Sequence, residues 1–236
     1  MTTRLYLVRH GATPLTAEDK FSGADGVDLS DEGRAQASAL AGRLRGEAIA
    51  AVYTSPLSRA METARILSHG WGAEPVAIEG LREIGHGHWE GLGRGEVERR
   101  FAAEYAMWSQ DPFTFAPERG ESGVAVLNRA LPAIRDIVMR HQGGRVLVVS
   151  HKATIRLVLC SLLGIDARGY RDRLDQAPAC LNILDFSDPV RARLTLFNDT
   201  SHYQVCPAPT GRHLSKWWDD AKDSSEAGRR SAEASR

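Results

Sequence analysis

The sequence predicts a three-layer α/β/α sandwich with a mostly parallel central sheet. Short apolar runs, clearest at residues 5–8 and 145–150, are typical of buried strands, and segments of helical period alternate with them. Strands that alternate with helices are joined by right-handed crossovers, which cover both faces of a parallel sheet. Across 236 residues, 42% are hydrophobic and 25% charged, which is enough apolar material for one medium-sized domain.

The strand predictions rest on short apolar runs that are bounded by turn residues. In chain order these strands are residues 5–8, 49–53, 75–78, 145–151, 181–186 and 192–197. The helix predictions rest on apolar residues at helical spacing and on capping residues. In chain order these helices are residues 31–45, 59–67, 96–109, 123–141 and 154–163.

Four helix details are specific enough to check. Ser30 or Asp31 is expected to cap the first helix, and Ser122 the helix that begins at 123. Pro132 is expected to kink or interrupt the helix over 123–141, because proline lacks the N–H that the helical hydrogen bond needs. Gly164 is expected to end the helix over 154–163.

Residues 1–206 form one predicted domain, and residues 207–236 a partly disordered C-terminal tail. The tail is rich in small and charged residues, with Trp217 and Trp218 as exceptions.

Charge and cysteine usage exclude several classes of protein. Lys and Arg together number 30, as do Asp and Glu, so no excess of positive charge marks a nucleic-acid or anionic-membrane partner. Cys160, Cys180 and Cys206 are odd in number and widely spaced, which argues against a disulfide framework or a zinc knuckle. The N-terminus lacks a signal-peptide core, and no apolar stretch reaches membrane-span length. We therefore expect a cytoplasmic protein.

Chemistry-bearing residues gather at predicted strand ends. Two of the best strands end in His10 and His151, and Arg9 adjoins the first of these histidines. Arg59 lies in the first turn of the helix that follows the second strand. Glu83 lies beyond the third strand. Phosphoryl transfer needs a nucleophile, cationic clamps and a proton donor, which this set supplies.

Four motifs in order resemble the histidine phosphatase superfamily, which includes the cofactor-dependent phosphoglycerate mutases. They are residues 7–13, 53–60, 81–91 and 149–151, and the resemblance spans about residues 4–205. The resemblance implies a phosphoglycerate mutase-like fold. It implies that His10 is the phosphorylated nucleophile and Glu83 the general acid and base, while Arg9, Arg59 and His151 form the phosphate pocket. We also expect Thr16, Ser22, Gly23 and Lys152 to contact the phosphate or the substrate.

No metal or cofactor is expected, because cationic side chains already neutralise the phosphate. The expected partner is a small phosphorylated metabolite, and a homodimer is an open possibility.

This sequence departs from the family pattern near the phosphate. Ala12 and Thr16 stand where the family usually has Glu or Gln and then Asn, and Lys152 stands where it often has Gly. A Lys152 side chain that faced the pocket would add a positive charge, which points to a substrate with a second anionic group.

Plainer interpretations stay open for single residues. Arg59 is also consistent with a solvated helix residue paired with Glu62 or Glu32, and Glu83 with a turn acceptor of backbone N–H groups. His86 and His88 are better placed to line the pocket mouth than to hold a metal, because no third ligand has suitable spacing.

Three activities fit these residues: a phosphomonoesterase, a phosphoglycerate mutase and a non-catalytic phospho-ligand binding module. The segment from Glu83 to about residue 120 is short, whereas the mutases carry a long covering insertion there. An open site admits water, which favours hydrolysis. A silent module would be expected to lack His10 or Glu83.

Overall fold

A computed structural model describes residues 1–16, 20–23 and 26–204 of the chain. The predicted tail with Trp217 and Trp218, and also Cys206, lies outside the described residues. In chain order the strands are β1 Thr3–Arg9, β2 Ala51–Thr54, β3 Val76–Ala77, β4 Arg145–Ser150, β5 Leu181–Phe186 and β6 Ala192–Asp199. The α-helices are α1 Asp31–Leu44, α2 Ser58–Ser68, α3 Arg94–Arg100, α4 Ala102–Gln110, α5 Gly123–Arg140, α6 Lys152–Leu163 and α7 Tyr170–Arg173.

The strands form one sheet in the order β3-β2-β4-β1-β5-β6. The pairs β1–β4, β2–β4 and β2–β3 are parallel, whereas β5 runs antiparallel to β1, and β6 antiparallel to β5. The parallel strands therefore bring their carboxyl ends to one edge, which is where ligands bind in such sheets. The predicted mostly parallel sheet is confirmed.

Alternate residues of β1 face opposite helical layers. Leu5 and Leu7 belong to a core cluster with residues of α5 and α6, whereas Tyr6 and Val8 pack with residues of α1 and α2. Because successive side chains of a strand point to opposite faces, this alternation defines three layers. The predicted α/β/α sandwich is confirmed.

The helix predicted over 96–109 is wrong as a single element. The structure breaks it at Phe101, whose backbone (φ −131°, ψ 44°) is not helical, and divides it into α3 and α4. The break lets Val97 of α3 and Trp108 of α4 face one aromatic cluster, against which Phe101 itself packs. Tertiary packing therefore overrides the helical period here.

Pro132 does not interrupt α5, which is continuous from Gly123 to Arg140. Pro132 is exposed, and Ala130 and Ile134 on either side of it are buried in the core cluster that holds the helix. Packing of that face outweighs the lost N–H bond.

The capping predictions are confirmed. The Ser30 hydroxyl accepts from the Gly33 N–H at 3.1 Å, and the Ser122 hydroxyl from the Ala125 N–H at 3.2 Å. Gly164 ends α6 with a left-handed φ of 69°.

Across the described residues, no helix combines the length and apolar character needed to cross a bilayer. Cys160 and Cys180 are free and buried.

Candidate active site

His10 follows the last residue of β1, and its N–H donates to the Ser150 carbonyl at 3.0 Å. Its Nδ1 lies 2.7 Å from the Gly11 carbonyl oxygen. Since a carbonyl only accepts, Nδ1 carries the proton and Nε2 keeps its lone pair. A Cβ on Gly11 would lie 2.4 Å from the Gly33 carbonyl oxygen, so the close approach of the two segments requires glycine.

His151 comes directly after β4 and packs against His10, with ring centroids 5.0 Å apart. Its Nε2 lies 2.7 Å from the Ser55 hydroxyl, which also accepts from the Leu57 N–H at 3.3 Å. In the part of the chain that the structure describes, the Ser55 hydroxyl has no other acceptor for its proton, so we assign that proton to the bond with Nε2, which makes Nδ1 of His151 an N–H donor. Among the described residues that buried Nδ1 has no partner, as a donor reserved for a phosphate oxygen would be.

Arg59 and Arg9 surround the His10 ring. The Arg59 Nε donates to Nε2 of His10 at 3.3 Å, and its Nη2 donates to the Gly23 carbonyl at 2.7 Å. Arg9 donates from Nη1 to the Gln176 carbonyl at 2.6 Å, and its buried Nε has no partner within the described residues. Arg59 is only 2% exposed, so its interpretation as a solvated helix residue is wrong.

Both histidines are held neutral. Burial lowers the pKa of His10 well below its ordinary value of 6.5, and the charges of Arg59 and Arg9 lower it further. Burial also lowers the pKa of His151, with added effects from His10, Arg59 and Arg9. For His10, burial is the larger cause of the lowered pKa and the two arginine charges are the smaller one.

Glu83 lies against the first turn of α6. Its carboxylate accepts from the backbone N–H groups of Ile84, Ala153 and Thr154 at 3.0–3.2 Å, and from the Thr154 hydroxyl at 3.2 Å. Glu83 does accept backbone N–H groups, as its plainer interpretation held. Two of them belong to the helix that follows His151, so the bonds also hold the carboxyl beside the histidine pair.

Arg129 of α5 fixes the segment that carries Glu83. It donates to the carbonyls of Gly80, Arg82 and Glu83 at 2.8–3.0 Å. It also forms a bidentate salt bridge with Glu121, with N–O distances of 2.8 and 2.9 Å. These five bonds match the five N–H donors of a guanidinium.

The remaining predicted phosphate positions lie close by but are engaged within the protein. The Gly23 N–H donates to Glu90 at 2.6 Å, and the Thr16 hydroxyl accepts from the Thr13 N–H at 3.0 Å. Ser22 is half-buried beside Gly23, and the Lys152 ammonium lies 3.7 Å from Asp175. Phosphate binding by these four residues stays a prediction.

His86 and His88 point to different places. His86 is buried with its ring edge against Phe21, at 4.9 Å between centroids, and burial lowers its pKa. His88 lies 3.3 Å from Glu104 of α4. Within the described part of the chain, no group of three His, Cys, Asp or Glu side chains is arranged to hold a metal ion.

Sequence reasoning assigned no role to Ser55, Gln176 or Arg129. Ser55 lies inside the motif at 53–60, so its position was visible but its contact with His151, 96 residues away, was not. Gln176 and Arg129 lie outside the four motifs, and only the fold brings them to the site.

The chain matches the family model described as "Histidine phosphatase superfamily (branch 1)" over residues 5–200. It is 32% identical over 163 residues to Phosphoserine phosphatase 1 from Hydrogenobacter thermophilus, covering 69% of this chain and 77% of that one. It is 34% identical over 170 residues to Glucosyl-3-phosphoglycerate phosphatase from Mycolicibacterium vanbaalenii, covering 69% and 75%. It spans about half (55%) of a bifunctional protein from Mycobacterium tuberculosis to which it is 36% identical.

Among solved structures, the fold is similar to that of YhfR from Bacillus stearothermophilus. The TM-score is 0.79 at 32% identity, and the match covers 85% of this chain and 98% of the other. The chain therefore belongs to branch 1 of the histidine phosphatase superfamily and is a phosphatase that hydrolyses phosphate monoesters.

Proposed function

We propose that the chain hydrolyses the phosphate ester of a small metabolite through a phosphohistidine on His10. The observation that carries this proposal is the proton position on the His10 ring, since the bond from Nδ1 to the Gly11 carbonyl at 2.7 Å leaves Nε2 as a nucleophile. Burial and two arginines keep that ring unprotonated at neutral pH.

In the first half-reaction Nε2 of His10 attacks phosphorus, and the bond to the ester oxygen breaks. Arg59 moves its Nε donor from His10 to a phosphoryl oxygen, and Arg9 and the Nδ1–H of His151 stabilise the charge on the others. Glu83 acts as the general acid and gives a proton to the departing alkoxide. The products are phosphohistidine, a free alcohol and the Glu83 carboxylate.

In the second half-reaction the Glu83 carboxylate takes a proton from water as the water oxygen attacks phosphorus. The bond between phosphorus and Nε2 breaks, so His10 regains its lone pair and inorganic phosphate leaves. Glu83 keeps the proton for the next ester, and the cycle closes. General acid–base help of this kind contributes roughly 10²–10⁴-fold to the rate.

Hydrolysis is favoured over a mutase reaction by the short segment between Glu83 and Gly120. A mutase must protect the phosphohistidine from water, whereas the two helices in this segment, α3 and α4, have only 7 and 9 residues. A non-catalytic binding module is disfavoured because the chain carries both His10 and Glu83.

The names of two relatives support a small phosphorylated metabolite. Phosphoserine and glucosyl-3-phosphoglycerate each join a phosphate ester to a small organic acid. A cytoplasmic location, supported by the free thiols of Cys160 and Cys180, and a homodimer stay predictions that fractionation and sedimentation would test.

The test is phosphate release from a panel of phosphomonoesters in EDTA, comparing the wild type with His10→Gln. We expect turnover that EDTA does not reduce, that disappears in the variant, and that leaves an acid-labile phosphoryl group on the His10 peptide after rapid quenching. Full activity of His10→Gln, or a phosphoryl group on another residue, would overturn the proposal.

A further inference from the structure

The loop before β5, residues 175–180, contacts the end of β1 at the candidate active site, and we call it the Gln176 loop. The Gln176 carbonyl accepts from Nη1 of Arg9 at 2.6 Å. The Ala179 N–H of the same loop donates to the His10 carbonyl at 3.0 Å. Over the described ranges, the Arg9 side chain has this one hydrogen bond, and its buried Nε has no partner. The position of the Arg9 guanidinium therefore depends on the Gln176 loop.

Gln176 and Asn182 of β5 form a pair of buried side-chain amides, each 0% exposed. Nδ2 of Asn182 donates to Oε1 of Gln176 at 2.7 Å, and Nε2 of Gln176 donates to Oδ1 of Asn182 at 3.0 Å. Nδ2 of Asn182 also donates to the Leu7 carbonyl at 3.0 Å, and its Oδ1 also accepts the Asn198 N–H at 2.9 Å. Asn182 thereby uses the two donors and the two acceptor positions of a side-chain amide. It joins the Gln176 loop to the backbone of β1, two residues before Arg9.

Asn198 of β6 holds the Gln176 loop from a second direction. Its Oδ1 accepts the Ala177 N–H at 2.7 Å. Its backbone is left-handed, with a φ of 47°, which asparagine tolerates better than most residues do. The pairing of β5 with β6 changes register beside Asn182, and a bulge of this kind re-aims the residues next to it. The irregular backbone therefore directs the Asn198 N–H to Asn182 and the Asn198 side chain to Ala177.

Asn182 is a polar residue in a part of β5 that packs in the core, with Leu181 in one apolar cluster and Leu184 in the other. An amide in such a place must be desolvated, and its hydrogen bonds return little net stability beyond that cost. A fully bonded polar network does, however, fix the relative positions of the groups that it joins. The network is therefore better explained by the position that it gives the Gln176 loop than by stability.

We propose that Asn182 and Asn198 are positioning residues that fix the Gln176 loop and, through the Gln176 carbonyl, the Arg9 guanidinium for binding of a phosphoryl group. The inference rests on the role that the proposed function gives to Arg9, and it adds the residues that act through Arg9. A guanidinium that is held before the ligand arrives loses less conformational entropy on binding, so phosphate binds more tightly. Loss of the network should therefore weaken phosphate binding only where Arg9 is present.

The main test is Asn198→Gly, because glycine keeps the left-handed backbone and removes the side-chain acceptor. We expect the Kd of inorganic phosphate, measured by phosphorus NMR titration, to rise about fivefold, as for the loss of about one hydrogen bond. The NMR signal of the Arg9 Nε–H, identified by its loss in Arg9→Met, should shift or broaden. Asn182→Leu should have the same two effects if urea denaturation shows that it folds, and Asn198→Gly decides the question if it does not.

Thr195→Ala is the matched control, because it also removes a bond from a β6 side chain to a backbone group. The exposed Thr195 hydroxyl donates to the Ile183 carbonyl at 3.2 Å, within the β5–β6 pair. The phosphate Kd and the Arg9 signal should not change in this variant. Equal effects in Thr195→Ala and Asn198→Gly would assign them to a general loosening of the sheet and overturn the inference, as would an unchanged Kd in Asn198→Gly.

A double-mutant cycle shows whether the effect passes through Arg9. In an Arg9→Met background, Asn198→Gly should raise the phosphate Kd less than about twofold. The same rise in both backgrounds would overturn the inference while leaving hydrolysis intact. If no phosphohistidine forms on His10 but the cycle shows this coupling, the proposed function fails and the positioning of Arg9 stands. If the phosphohistidine forms and the coupling is missing, the inference fails and the proposed function stands.

Discussion

At the scale of single residues, two neighbouring imidazoles carry their protons for different purposes. His10 has its proton on Nδ1 because the Gly11 carbonyl takes it, which leaves Nε2 to attack. His151 has its proton on Nδ1 because the Ser55 hydroxyl occupies Nε2, which leaves an N–H to hold phosphate. In the proposed mechanism, the acceptor or donor beside each ring therefore decides whether that histidine acts as the nucleophile or as a donor to the phosphate.

Ser55→Ala should lower kcat/KM about tenfold, because the His151 ring loses the bond that fixes its proton and its orientation. Inhibition by inorganic phosphate should weaken in parallel, since the same N–H binds the product. Steady-state kinetics with phosphate as inhibitor measures both. Ser58→Ala, in the same motif but with its hydroxyl 3.5 Å from the Val27 carbonyl, is the control, and equal effects of the two changes would contradict the role given to Ser55.

At the scale of elements, α5 acts on the site through one side chain. Arg129 donates to the carbonyl of Glu83 and to those of Arg82 and Gly80, while Glu121 holds the guanidinium from the loop before α5. The proposed general acid, Glu83, is therefore positioned by a helix to which the proposed mechanism gives no contact with the phosphate. The contribution of Arg129 to the rate should be visible only in steps in which Glu83 transfers a proton.

Arg129→Met should slow hydrolysis of alkyl phosphates about tenfold more than that of p-nitrophenyl phosphate, because a nitrophenolate leaves without a proton from Glu83. It should also cost about 2–3 kcal/mol of unfolding free energy through the buried acceptors left behind. Kinetics on both esters and urea denaturation measure these effects. Arg140→Met, an exposed arginine at the end of α5, is the control, and a uniform loss on both esters would assign Arg129 a structural role alone.

The sequence predicts some of these elements and not others. Apolar runs indicate β1 and β4, and Gly164 marks the end of α6, because these depend on local burial and local backbone. The direction of β6 was also accessible, since the five residues between Phe186 and Ala192 are too few for a crossover to a parallel strand. The break at Phe101 was not, because it depends on an aromatic cluster assembled from distant segments.

At the candidate active site, too, the sequence predicts some features and not others. Motifs along the chain predicted that His10, His151, Arg59, Arg9 and Glu83 would meet, and strand-end geometry explains why they do. The partners that set their protons and positions, such as Ser55 and Arg129, contact them across 96 and 46 residues. Spacing along the chain carries no information about such contacts, so the meeting of the five motif residues was predictable and the contacts that support them were not.

At the scale of the whole molecule, a chain of zero formal net charge keeps a buried cationic pocket at one edge of its sheet. His10 and His151 stay neutral there because protonation would add charge beside Arg9 and Arg59 in a buried place. His86 is likewise buried with a lowered pKa. In the unfolded chain these histidines are not buried beside arginines, so they take up protons at their ordinary pKa. Lowering the pH therefore favours the unfolded state over the folded one.

Stability should fall as the pH drops from 6.5, the ordinary histidine pKa, to about 5.5, because the unfolded chain then takes up protons that the folded chain refuses. Each such histidine contributes a slope of up to about 1.4 kcal/mol per pH unit, and the contribution is fully present above that window. Most carboxylates titrate below it, with unfolded pKa values of about 4. Urea denaturation at several pH values, in buffer free of phosphate, measures the slope. His10→Gln and His151→Gln should each remove one histidine's share of it, and a slope equal to that of the wild type in either variant would show that the replaced ring takes up its proton in the folded state as readily as in the unfolded one.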